Sequence, residues 1–281
     1  MTSRNARRNM VNKVMLTLCG VCAFLTVSTL FLILGYLIYH GAQSLNPGFF
    51  THLPVGEGEA GGGIANSILG TAEIVVMATL IGLPVGFFAG VYLAEFGGKT
   101  FPFIVRYTAD LLNGIPSIVI GIFAWTVVVV PMHHFSALAG GLALSIMLIP
   151  ITARSTEQFL LEVPRSLREG ALALGANKWR TIASVIVPAA RKGIMTGMIL
   201  GVARISGETA PLLFTSLSNQ YWSGFSEPTA SLPVTIYNYA TSAYEDWHQL
   251  AWAAGLVLLA LVLLANIAAR MVISRGTSLP R

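Results

Sequence analysis

The chain has 281 residues, 54% of them hydrophobic and only 10% charged, with a net charge of +5 and a mean hydropathy of +0.71. Soluble globular domains carry about 25% charged residues. The composition therefore excludes an ordinary soluble enzyme, a disordered segment and a nucleic-acid-binding domain, although the isoelectric point is near 9.4. Most of the surface must face lipid, and the natural unit for reading the chain is the membrane span.

A helix crosses the hydrocarbon layer with about 20 mostly apolar residues. A basic N-terminus leads into the first such run, Val14–Tyr39. That run is about twice the apolar core of a signal peptide. No small-residue cleavage site precedes His40, so it reads as an uncleaved first helix. Within it, Cys19-Gly-Val-Cys22 has redox spacing, but a thiolate is not stable inside a span, and the pair reads as two small apolar residues. The outer loop His40–Ser67 contains Gly56-Glu-Gly-Glu-Ala-Gly61, a G-x-G-x-x-G match whose carboxylates would repel a pyrophosphate. It reads as a linker.

The second span, Ile68–Leu93, is interrupted only by Glu73, near its outer entrance. Gly98-Lys99-Thr100 ends like a phosphate-binding loop, yet Leu93 stands where the first glycine belongs, so this is a turn between helices. Leu111–Val130 and Phe135–Ala153 form the third and fourth spans, joined around Pro131-Met-His-His134, with Asp110 at the cytoplasmic interface. The long polar connection Glu157–Lys192 follows. Pro164 suits the first turn of a helix, Gly175 its C-terminal cap, and Asn177 the cap of a second helix carrying Lys178, Trp179 and Arg180. Pro188 is expected to stop that second helix. Two short helices bent at a glycine would make a knob. Composition alone allows equally an amphipathic loop lying on the membrane.

The fifth span, Gly193–Phe214, carries Arg204 and Glu208; the sixth, Leu250–Ala269, is the most apolar. Pro84, Pro116, Pro150 and Pro211 fall inside spans, where they remove backbone hydrogen bonds and kink helices. Trp222, Trp247 and Trp252 gather at the outer end of the last helix, as an interfacial belt would. The five histidines lie at span ends or in outer loops, and no metal-ligand spacing or Ser/His constellation occurs. The chain is expected to catalyse nothing itself.

Basic residues are retained on the cytoplasmic side of a membrane. With the N-terminus inside, six spans place sixteen of the seventeen Lys and Arg residues on the inner face. These are Arg4, Arg7, Arg8 and Lys13; Lys99 and Arg106; the seven from Arg154 to Lys192; and Arg270, Arg275 and Arg281. Neither long outer loop, His40–Ser67 or Thr215–Gln249, contains one. The expected chain is all-α, multi-pass and N-in/C-in, which suits a bacterial inner membrane. It divides into a tail, first helix and external loop (1–67), a transmembrane core (68–272) holding the cytoplasmic loop 157–192, and a tail (273–281).

Glu169-Gly-Ala171, Gly175 and Val185-x-Val187-Pro188 resemble, in order and spacing, the EAA---G---------I-LP loop of type I ABC importer permeases, with Gly170 where Ala is usual and Val for Ile and Leu. Further strings are similar to the phosphate-specific importer permeases: Gly61–Thr71, Tyr92-Leu-Ala-Glu-Phe-Gly97, Gly114-Ile-Pro-Ser-Ile-Val-Ile-Gly121 and Ala203–Leu212. Leu232-Pro-Val-Thr-Ile-Tyr237 and Trp247-His-Gln-Leu-Ala-Trp252 resemble the PstA-type rather than the PstC-type subunit. The resemblance implies the type I importer permease fold, phosphate uptake by alternating access, and a coupling helix docked on an ATPase. It implies as partners a PstC-like permease, two ATPase subunits and a periplasmic phosphate-binding protein. ATP and Mg²⁺ would stay on the ATPases, with no cofactor bound by this chain. The coupling residues would be Glu169, Gly170, Ala171, Gly175 and Pro188. A permease for molybdate, sulfate or phosphonate would share the loop; an ion-coupled secondary transporter would have no reason to carry it.

Arg204 is the one Lys or Arg placed inside a span, and Glu208 follows four residues later, on the same face of a continuous helix. A charge at the centre of a span costs about 2.5–3.5 kcal/mol on insertion scales. Either the two lock helix packing as an ion pair, or Arg204 offers its planar fork to a passing oxyanion while Glu208 limits the affinity. The second reading puts Arg204, Glu208, Gly207 and Thr209 on the substrate path, with Gly207 and Pro211 allowing the helix to distort.

Overall fold

The computed structural model describes residues 3–56, 59, 61–96, 98 and 100–275, and these form helices and connections with no strand. Lys99, the middle of the glycine-rich outer string and the tail beyond residue 275 lie outside the described residues. In chain order the helices are α1 (Ser3–Gly41), α2 (Pro47–Thr51), α3 (Ala65–Glu95), α4 (Phe101–Gly114) and α5 (Ser117–Met132). Then come α6 (Ala137–Leu161), α7 (Arg165–Ala173), α8 (Lys178–Ile205), α9 (Ala210–Thr215), α10 (Leu232–Ala240) and α11 (Glu245–Arg275).

Among the described residues five helices are long and apolar enough to cross a membrane: those of α1, α3, α6, α8 and α11. The third expected span is instead a bent pair of helices. Leu111–Val130 reads from hydropathy as a single helix, but α4 and α5 meet at 104°. Ile115 and Pro116 are extended, each with ψ of 134°. A proline ring excludes its predecessor from the helical region, so α4 ends with the Ile115 N–H on the Leu111 carbonyl at 3.1 Å and a new helix starts at Ser117.

Helix α6 is the centre of the bundle. On one side lies α3, whose Gly82, Gly86 and Gly90 recur every fourth residue and bring the backbones together; a Cβ at Gly86 would sit 2.6 Å from the Cβ of Thr152. On another lies α8, whose Gly197 and Gly201 face Ser155 and Leu148 in the same way. In lipid there is little hydrophobic drive between helices, and small residues at a four-residue interval let van der Waals contact do the work instead. Ile74, Leu144, Leu148, Ile205 and Leu212 fill the middle of the bundle, with Ile120 of α5 and Val234 of α10 closing it.

The end of the bundle opposite the knob is tied down by the Gly61–Thr71 string. Asn66 donates to the Asn219 carbonyl at 2.6 Å, Ser67 and Thr235 share a hydroxyl bond of 2.7 Å, and Thr71 accepts from the Leu232 N–H at 2.7 Å. These polar residues at the start of α3 hold the long connection between α9 and α10 against it. Trp247 lies 4.6 Å from Tyr239 and Trp252 5.2 Å from Tyr36, so two of the three belt tryptophans also pack within the chain. Among the described residues, helix α1 meets the last helix near its own end, where Tyr36, His40 and Gly41 meet Trp252. The remainder of its apolar surface is exposed.

Candidate functional site

The residues expected to carry function gather in two places, at the two ends of α8. The first is the knob. α7 ends in a Schellman motif: the Gly175 N–H bonds the Leu172 carbonyl at 2.9 Å and the Ala176 N–H the Ala171 carbonyl at 3.1 Å. Gly175 has φ +80, the left-handed conformation that a side chain resists. Asn177 then caps the next helix, accepting from the Arg180 N–H at 2.8 Å. Both caps stand where the sequence puts them. Glu169, Gly170 and Gly175 are exposed on this knob and Ala171 is half-buried. Its tip is apolar, with Leu174 91% and Trp179 63% exposed.

Pro188 does not stop the second helix. α8 runs without interruption from the knob into the fifth expected span, 28 residues in all, ending at Ile205. The proline is absorbed by a wide turn over Ile182–Ile186, closed by the Val187 N–H on the Ile182 carbonyl five residues back. An ordinary helical turn would press the ring against the preceding turn and leave a carbonyl unpaired; the extra residue relieves both. The same device precedes Pro131 in α5, where the Val130 N–H bonds the Trp125 carbonyl. Pro188 therefore lies outside the knob, along the shaft, and is exposed there.

The second place is the far end of that shaft. At 1.5 Å per residue, α8 carries the chain about 40 Å, to Arg204 in its last turn, where a cation complements the carbonyl end of the helix. The helix ends at Ile205. Gly207 and Glu208 turn back tightly, their N–H groups bonding the Arg204 and Ile205 carbonyls at 3.3 and 3.2 Å, and α9 restarts with Pro211 in its first turn. This corrects the expectation of a continuous helix through Phe214. It also separates the pair: no ion pair joins Arg204 to Glu208 among the described residues. Arg204 and Gly207 are exposed, whereas Glu208 and Thr209 are half-buried. Non-helical backbone at membrane depth persists only where protein or a water-filled path covers it. The break abuts the bent pair α4–α5, since α9 packs on α5, where a Cβ at Gly121 would lie 2.7 Å from the Pro211 Cα.

Between knob and bundle lies a set of ion pairs that reading the charges as topology markers had left unassigned. Glu157 of α6 binds Arg106 of α4 and, at 2.7 Å, Arg154, which reaches Asp110 at 2.9 Å. Glu95, the last residue of α3, binds Arg168 of the knob. The one local hint was that Glu95 lies within the Tyr92–Gly97 string; its partner is 73 residues away.

A family model described as binding-protein-dependent transport system inner membrane component matches residues 82–276. The phosphate transport system permease protein PstA of Yersinia pestis is 44% identical, covering 97% of this chain and 93% of its own. That of Haemophilus influenzae is 45% identical over 96% and 97%. The probable PstA of Methanocaldococcus jannaschii is 40% identical over 91% of each chain. Among solved structures, the inward-facing MetNI methionine ABC transporter superposes with a TM-score of 0.64 at 19% identity, over 76% of this chain and 97% of its own. A bacterial alginate ABC transporter bound to its periplasmic protein gives 0.68 at 16%, over 99% of each chain. At those identities the likeness is one of fold.

Proposed function

The chain belongs to the binding-protein-dependent inner-membrane transport components, in their PstA-type phosphate permease branch, and we propose on that premise that α8 carries force from an ATPase to a phosphate path. The protein is a multi-pass membrane protein and a permease subunit of a phosphate ABC importer, with ATP hydrolysis supplied by separate subunits. On our reading it sits in a bacterial inner membrane with both ends in the cytoplasm and pairs with a PstC-like permease. Two ATPases lie beneath, holding ATP and Mg²⁺, and a periplasmic phosphate-binding protein delivers cargo from above. This chain itself holds no cofactor. Phosphate rather than molybdate, sulfate or phosphonate is the cargo, because the relatives of 40–45% identity are phosphate permeases by name.

The observation that carries this reading is the continuity of α8, with the knob at one end and Arg204 at the other. Glu169, Gly170 and Ala171 present the knob to the ATPase, Gly175 sets its bend, and the exposed Leu174 and Trp179 enter the groove. Pro188 fixes the wide turn that orients the knob on the shaft. At the far end, Arg204 offers a fork matched to two phosphate oxygens. Glu208 repels the anion and keeps binding loose enough for release, and Gly207 and Thr209 form the flexible break between them. Discontinuous helices of this kind line the substrate sites of other transporters.

Reconstitution in proteoliposomes, with the ATPase, the second permease and the binding protein omitted one at a time, tests the assignment. Phosphate accumulation is expected only with all of them and ATP present. Accumulation that persists without the ATPase would overturn it.

A further inference from the structure

Glu95 holds the knob by two different atoms. Its carboxylate accepts from Nη1 of Arg168, one turn into α7, while Nη2 of the same guanidinium bonds the Leu160 carbonyl at 2.7 Å. Its backbone carbonyl accepts from Lys178 Nζ, the first residue of α8, at 2.7 Å. The same ammonium lies 4.2 Å above the Phe96 ring. One residue at the end of α3 thus grips both helices of the knob. The ion pair is sheltered, with 6% of the Glu95 and 21% of the Arg168 side chain exposed. Solvent-exposed pairs of this type contribute little, whereas a sheltered one leaves an uncompensated charge when broken. The knob is therefore not a free arm on α8.

We infer that Glu95 and Arg168 are positioning residues of energy coupling: their clamp makes the knob and α3 move as one body. ATPase closure is then delivered through α3 as well as α8, on two sides of α6. Neither residue touches phosphate or ATP. α3 is suited to this role because its glycines let it bear directly on α6 along its length. Force applied at Glu95 reaches the middle of the bundle without passing through the wide turn at Ile182–Ile186. The inference rests on the knob being the ATPase dock.

The test measures phosphate imported per ATP hydrolysed in proteoliposomes of the whole complex. Glu95→Gln and Arg168→Gln are expected to keep the ATPase bound and hydrolysing while the ratio falls about fivefold or more, the scale of a typical coupling energy. In a background with Cys19 and Cys22 replaced by Ser, the pair Glu95→Cys and Arg168→Cys is expected to be uncoupled until a short thiol cross-linker joins them, and then to recover. A wild-type ratio in the single variants, or a cross-link that blocks import, overturns the inference. The cysteine pair decides the matter even if the glutamine variants fail to assemble. Leu174→Asp separates the underlying reading: it should release the ATPase from the purified complex, and retention there would instead remove the dock.

Discussion

Glu157 has 3% of its side chain exposed and holds two guanidiniums, Arg106 and Arg154, each a little over one-third exposed. Removing a buried carboxylate leaves its partners uncompensated, at a cost of about 3–5 kcal/mol for a dry pair; partial solvation of the two arginines lowers this to about 2–3 kcal/mol. Glu157→Ala is expected to lower the thermal midpoint of the detergent-solubilised protein, and more so than Asp110→Ala, whose side chain is 55% exposed. Single-residue chemistry is also where sequence reading was weakest. The spacing of Arg204 and Glu208 suggested one helix face, but the inference needed an unbroken helix through Gly207, and the chain turns there instead. The caps fared differently. Gly175 and Asn177 act on their own few neighbours, so their roles could be read locally.

At the scale of elements, prolines decide which apolar runs are rods and which are bends. Hydropathy counts apolar residues and is blind to backbone direction. It found the run around Pro116 but not its 104° turn, while the proline at 188 suggested a stop to a helix that in fact continues. The difference is what precedes each ring: Ile115 is extended, whereas Ile182–Ile186 widens to accommodate the proline. Pro188→Ala restores a backbone donor and lets the wide turn close into ordinary helix. Losing one residue from a turn rotates everything beyond it by about 100°, so the knob would face away from its dock. The expected result is unchanged helix content by circular dichroism with less ATPase co-purifying. Unchanged ATPase recovery and uptake would mean that Pro188 only shapes packing.

The whole molecule is organised by where it keeps its few charges. Charged residues cluster at the knob end, paired across α3, α4, α6 and α7, while the middle of the bundle is Ile, Leu, Ala and Gly. That distribution was legible as a count along the chain; the pairing was not, since Glu95 and Arg168 carry no mutual signal in sequence. The exposed apolar surface of α1 suits lipid or a neighbouring subunit. Against this background Arg204 stands at the end of α8, about 40 Å from the knob, exposed and unpaired with Glu208. On the reading proposed above, this guanidinium lies on the phosphate path and α8 connects it to the ATPase. That reading is tested most directly by phosphate uptake in proteoliposomes of fully assembled complexes carrying Arg204→Gln or Arg204→Lys. Gln is expected to abolish uptake while the complex still assembles and hydrolyses ATP, and Lys, with charge but no fork, to retain a fraction at raised KM. Wild-type uptake by the Gln variant would contradict it.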